Sequence, residues 1–132
     1  MKKSLLILAV AMGFLMVPGV LSAHHAQSWS DNQHPITLTG TVQEFLFSNP
    51  HCQLFFETKG ADGKLEHWVV EVGAPHGLHR AGWTSATIKP GDSITITGGP
   101  AKDGRKMINI FSGKLIINGK ELSTSAAGEP TN

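Results

Sequence analysis

The stretch ITLTGTVQEFLF, residues 36–47, decides the fold. Ile36, Leu38 and Val42 share one parity along the chain, and Phe45 and Phe47 share the other. Successive side chains of a strand point to opposite faces, so the change of parity predicts a β-bulge near residues 43–44. Gly40 permits a sharp bend within the same strand. The stretch therefore predicts a long, bent first strand.

Two alternating segments follow this strand. CQLFFETKG, residues 52–60, and LEHWVVEVG, residues 65–73, alternate apolar and polar side chains. The Asp62–Gly63 pair between them is a strong turn signal, so we expect an antiparallel hairpin.

A short helix and two more strands complete the pattern. In APHGLHRAGW, residues 74–83, Pro75 suits a first helical position and Gly82 suits the stop. Residues 88–99 predict a turn and a strand, and residues 107–122 predict a last strand ending in a small hairpin. The residues predicted to be buried are Leu54, Phe56, Trp68, Val70, Val72, Ile94 and Ile96.

This order of elements predicts an all-β domain with one short helix, a five-stranded, partly open barrel of the OB type. A small β-sandwich is the alternative architecture. The helix between the third and fourth strands favours the barrel.

Residues 1–23 have the layout of a secretory signal peptide: two lysines, an apolar run, then small residues ending at Ala23. The run is shorter than the roughly 20 residues that a membrane-spanning helix needs, and Pro18–Gly19 interrupts its end. We expect cleavage after Ala23 and a periplasmic or secreted protein with no membrane span. The mature chain then divides into an arm (24–35), the OB-like barrel (36–122) and a disordered tail (123–132).

Charge and cysteine content narrow the function classes. Loss of Lys2 and Lys3 with the signal leaves nine basic and ten acidic residues, a net charge of −1. Phosphate contacts dominate nucleic-acid affinity, so a nearly neutral chain without a basic stripe is not expected to bind nucleic acid. Cys52 is the single cysteine, so no internal disulfide is possible and the core must hold the fold. It has the parity of Leu54 and is predicted to be a buried structural thiol.

Several segments resemble an uncharacterised family of small exported bacterial proteins. They are the signal peptide, His24–His25 behind it, "LTGTVQEFLFSNPH", "EVGAPHGLHRAGW" and "IKPGDSITITG". The more specific parts are Asn49–Pro50–His51 and Gly82–Trp83. The resemblance implies export and a small β-rich domain, and it brings no established activity. Family members often have serine where this chain has Ala26.

His24 and His25 are candidate metal ligands. Cleavage after Ala23 would place the new amine beside the ring of His24, and a second imidazole would complete a nitrogen set suited to Cu(II). Cleavage after Ser22 would make histidine the second and third residues, which also gives a planar nitrogen site for Cu(II) or Ni(II). The alternative is a solvated polar arm with incidental copper affinity.

His51 is a candidate third ligand. The alternative is that its ring fixes the conformation of the loop through hydrogen bonds.

His76 and His79 lie three apart on the predicted helix, where a surface position is the favoured interpretation. The glutamates on the predicted strands (Glu44, Glu57, Glu66 and Glu71) are interpreted as solvent-facing.

No nucleophile, phosphate-loop or zinc-protease motif occurs, so we do not expect an enzyme. Two function classes lead. The first is an exported periplasmic protein that binds Cu(II) through His24, His25 and His51. The second is an OB-like binding module, without metal, for a protein, peptide or small ligand of the cell envelope.

Overall fold

The computed structural model describes residues 29–124, except for the side chains of residues 111–112. The predicted signal peptide, His24, His25 and residues 125–132 of the predicted tail lie outside the described residues. The elements are β1 (Ile36–Leu46), β2 (Cys52–Lys59), β3 (Leu65–Gly73), α1 (Pro75–Arg80), β4 (Ser93–Pro100), β5 (Met107–Ile117) and β6 (Lys120–Leu122). Within residues 29–124, no helix has the length and apolar character needed to cross a membrane.

Five strands close into one barrel. β1 pairs antiparallel with β4 over its first half and with β2 over its second half. β2 pairs with β3, β4 pairs with β5, and a short parallel pairing of β3 with β5 completes the ring. β6 adds a short strand to the end of β5. The predicted five-stranded barrel is confirmed, and the sandwich alternative is not formed because one closed ring contains all five strands.

β1 changes partner where it bends. Val42 pairs with Phe56 and Glu44 pairs with Phe55, so Gln43 is the extra residue of a bulge, as its sequence predicts. At Gly40, a Cβ would collide with the carbonyl oxygen of Glu57. Glycine is therefore required for the close approach of β1 and β2 at the bend.

The inner faces of the strands form the core. Leu54, Phe56, Val70, Ile94 and Ile96 are at most 1% exposed, and Val72 is also buried, as predicted.

Trp68 is half-buried rather than fully buried. Its Nε1 donates to Glu66 Oε2 at 3.0 Å, and the Lys106 ammonium lies 5.6 Å from the ring centroid. Glu66 also forms an ion pair with Lys106. The polar partners of the indole explain why this inward position keeps contact with water.

α1 and the segment after it cover one part of the core. Leu78 and Trp83 are buried there. Gly82 has φ +89°, a left-handed conformation that favours glycine, which confirms the predicted helix stop. Trp83 Nε1 donates to the carbonyl oxygen of Ser123 at 2.8 Å, so the end of the described chain is fastened over the same region.

The first described residues are fixed to the end of β4. Ser30 forms a β-bridge with Ala101, and the Asp31 amide donates to the Pro100 carbonyl at 2.8 Å. The Lys102 amide donates to the Trp29 carbonyl at 2.9 Å. Residue 29 therefore leaves the barrel beside the β4–β5 loop.

Candidate functional site

His51 lies in the loop between β1 and β2, directly after the cis Asn49–Pro50 peptide bond. Its Nδ1 is 3.0 Å from Glu71 Oε1 on β3. The His51 side chain is 42% exposed and that of Glu71 is 19% exposed. The pair therefore joins a solvent-accessible imidazole to a carboxylate that is largely shielded from water.

A shift in strand register brings this carboxylate to the loop. Cys52 pairs with Gly73 and Gln53 pairs with Glu71, so Val72 is the extra residue on β3. Val72 is buried, and Glu71 points to the outer face beside the start of β2. The interpretation of Glu71 as simply solvent-facing is therefore wrong, because its side chain is half-buried and held against the His51 ring.

The arrangement of the pair fixes what His51 can do. The contact with Glu71 uses Nδ1, so Nε2 is the ring nitrogen available to a ligand. Histidines that bind metals usually donate their other ring nitrogen to a carboxylate, which sets the tautomer and the ring orientation. The same contact also serves the loop-fixing role that the sequence left open for His51.

Cys52 does not share this site. Its side chain is fully buried, as predicted, and burial raises the pKa of its thiol. Thiolate is the form that binds metals, so a protonated thiol inside the core is a poor ligand near neutral pH. His51 and Cys52 are neighbours in sequence, but only His51 faces solvent.

Aromatic packing supports the base of the loop. The Phe45 ring lies 6.0 Å from the Trp83 ring and 5.9 Å from the Phe47 ring, between centroids. The Phe45–Phe47 contact is edge-to-face, a favourable geometry for aromatic pairs. The loop that carries His51 therefore starts from a fixed apolar cluster.

The other described histidines are at the surface. His67 is 78% exposed with Nδ1 3.4 Å from Glu57 Oε1, and both helix histidines, His76 and His79, are exposed as predicted. His34 is 80% exposed, and its hydrogen bond to Asp31 lowers the pKa of that carboxyl.

Three of the predicted solvent-facing glutamates have a different environment from the one expected. Glu44 is exposed, whereas Glu57, Glu66 and Glu71 are half-buried and each contacts a Lys or His side chain. Glu57 faces His67 across the hairpin, whereas the partners of Glu66 and Glu71 come from the β4–β5 and β1–β2 loops. Alternation along one strand does not reveal any of these contacts.

Among residues 29–124, no three His, Cys, Asp or Glu side chains come together in a way that could hold a metal ion. A metal bound at His51 would therefore need further ligands from outside this range. His24 and His25, the other predicted ligands, lie there.

Comparison with known proteins gives a family without a function. A family model described as "Family of unknown function (DUF6152)" matches residues 14–109. No curated protein matches the chain. The matched range includes β1 to β4 and the His51–Glu71 pair.

Proposed function

The chain belongs to the DUF6152 family of unknown function, and from this premise we propose that it is an exported, non-catalytic protein that binds one Cu(II) ion through His24, His25 and His51. The observation that carries the proposal is the His51–Glu71 pair at the rim of the barrel. In this pair Nδ1 of His51 contacts Glu71, and Nε2 is the nitrogen left for a metal ion.

The ligand chemistry supports copper. Signal cleavage after Ala23 would convert the His24 amide nitrogen into an amine beside an imidazole ring. Amine and imidazole nitrogens in a planar set suit Cu(II), and imidazole is a ligand that copper accepts readily. His51 would then supply a nitrogen from the rigid barrel to a site built mainly by the chain end.

The length of the predicted arm sets how far His24 and His25 could reach. Ser30 pairs with Ala101, Ala101 bonds to Met107, and Met107 pairs with β3 two residues before Glu71. These steps cross three strand spacings of about 4.8 Å each. Ser30 is five positions after His25, and an extended chain of that length spans about 17 Å. Glu71 lies two residues, about 7 Å, further along β3, which makes the separation from Ser30 about 16 Å, so the proposed site requires a nearly fully extended arm.

The first test of export is the intact mass of the protein. The protein purified from the cell envelope should begin at His24, because the apolar run and the small residues before it form a peptidase site. Intact-mass spectrometry measures this directly. Envelope protein that still carries Met1 would contradict export with cleavage.

The role of His51 is tested by calorimetry of Cu(II) binding to the exported protein. His51→Ala should weaken binding. Glu71→Gln should weaken it by roughly 10–100-fold, the usual effect of removing the outer partner of a ligating histidine. The matched controls are His67→Ala and Glu57→Gln, which alter a second histidine–glutamate pair on the same hairpin. Equal affinity of His51→Ala and the parent protein would remove His51 from the site.

A second function, recognition of a partner by the barrel face without metal, is supported by a separate observation. The outer face of β1, β2 and β3 combines apolar and acidic side chains in one continuous area. Capture of an envelope component by the metal-free protein would favour this function. If substitutions on the outer face of β1, β2 and β3 abolish this binding, the component binds at that face.

A further inference from the structure

An apolar stripe crosses the outer face of the barrel. The strand registers place Glu44, Phe55, Val69 and Met107 side by side on β1, β2, β3 and β5. Phe55, Val69 and Met107 are half-buried, so part of each side chain remains in contact with water. The stripe runs perpendicular to the strands, with Glu44 at one end.

Three carboxylates surround Phe55 on this face. Glu44 is directly opposite on β1, Glu57 is the next outward residue on β2, and Glu71 lies diagonally opposite on β3. In antiparallel sheets such neighbours have Cβ separations of about 5 Å when opposite and about 7–8 Å when diagonal. All three carboxylates can therefore contact one ligand group placed over the ring. We name Glu44, Phe55, Glu57, Val69, Glu71 and Met107 the acidic face.

The outer-face neighbours of Phe55 on β1, β2 and β3 include three carboxylates and no Lys or Arg. The nearest cations on the strands of the face lie at its edges: Lys59 is two residues beyond Glu57, and Lys106 directly precedes Met107. Residues 41–46, 53–57 and 67–71 contain no Lys or Arg. Glu57 and Glu71 each contact one imidazole, that of His67 and that of His51. Glu44 is exposed and forms no ion pair with any residue in the described range 29–124. The face therefore presents negative charge around an apolar centre.

We propose that the acidic face binds an extended segment of a partner protein in which a Lys or Arg adjoins an apolar side chain. This inference rests on the second proposed function, binding by the barrel face, and does not need copper. The apolar side chain would cover Val69 and Met107, and the cation would lie over the Phe55 ring within reach of the carboxylates. Aromatic faces attract cations, and complementary charges select the partner.

Polyanionic partners do not fit the same surface. Phosphate groups need Lys or Arg neighbours, and the β1, β2 and β3 segments around Phe55 have neither. Lys106, beside Met107 on β5, forms an ion pair with Glu66. The β2–β3 face and its flanking loops are the usual binding surface of OB-folds, where nucleic acids are common ligands. In this chain the composition of that surface favours the opposite charge.

The test is a titration of the isotope-labelled exported protein with two synthetic peptides, one of alternating Lys and Val and one of alternating Glu and Val. Amide NMR shifts are followed with a chelator present, so that copper plays no part. The Lys–Val peptide should shift the amides of residues 53–57 and 67–71 and bind more weakly as salt is raised. The Glu–Val peptide should have no effect.

Charge reversal supplies the matched controls. Glu44→Lys should weaken binding of the Lys–Val peptide roughly tenfold, because like charges then face each other across the contact. Glu121→Lys makes the same charge change on β6, away from the face, and should leave binding unchanged.

Three results would overturn the inference. The first is the absence of shifts on the acidic face with the Lys–Val peptide, and the second is equal affinity of Glu44→Lys and the parent. Binding of the Glu–Val peptide at the same amides would also reject a cationic partner, while leaving recognition by the barrel face as a function.

Discussion

Replacing Phe56 with alanine should lower the free energy of unfolding by about 3–5 kcal/mol, the usual cost of truncating a buried aromatic side chain. Phe56 is 1% exposed and belongs to the core cluster of the barrel. It also pairs with Val42 on β1 and with Trp68 on β3, at the place where the bent strand changes partners. The cavity would therefore open at the centre of the β1–β2–β3 sheet, where little can collapse into it.

The preceding residue provides the control. Phe55→Ala removes the same atoms from the same strand, but Phe55 is half-buried on the outer face. Its loss removes less apolar area from the folded state, so the change in unfolding free energy should be clearly smaller. Urea denaturation followed by circular dichroism measures both variants. A similar loss of stability at the two positions would contradict the assignment of inner and outer faces.

Most of the architecture is predictable because its signals are local. The change of parity after Val42 requires a bulge, Asp62–Gly63 turns the hairpin, and Gly82 ends the helix. In each case a few neighbouring residues determine the backbone conformation through steric and packing limits. The order of strands then restricts the fold to very few arrangements.

Closure of the barrel has no such local signal. The parallel pairing of β3 with β5 joins Val69 to Met107 across nearly forty residues of sequence. Trp68 illustrates the same limit, since its parity predicts burial but its final exposure depends on Glu66 and on Lys106 from the β4–β5 loop. Contacts between distant segments decide both features.

The sequence predicts only one member of the candidate pair, His51, and not its partner Glu71. The residue type and the loop position of His51 predict a candidate ligand. Its carboxylate partner depends on the register shift that makes Val72 an extra residue, and an alternation pattern does not reveal which strand receives such a shift. The same shift turns Glu71 from a nominal surface residue into the group that orients the imidazole.

Replacement of both His24 and His25 with alanine should abolish tight Cu(II) binding by the exported protein. These residues would supply most of the proposed nitrogen ligands, so the loss of affinity should exceed the roughly 10–100-fold effect expected for an outer-shell partner such as Glu71. Binding by the parent should also weaken as the pH falls, because protons compete for the amine and the imidazoles. Calorimetry at several pH values measures both effects.

Two controls separate a terminal site from general histidine affinity. The double variant His76→Ala/His79→Ala also removes two imidazoles, from exposed positions on α1, and should bind Cu(II) like the parent. An additional residue ahead of His24 should weaken binding if the terminal amine is a ligand, since that nitrogen then becomes an amide. A His24/His25 variant that binds copper as tightly as the parent would exclude the terminal site. Copper would then be bound by residues other than the proposed ligands, and recognition by the barrel face would become the favoured function.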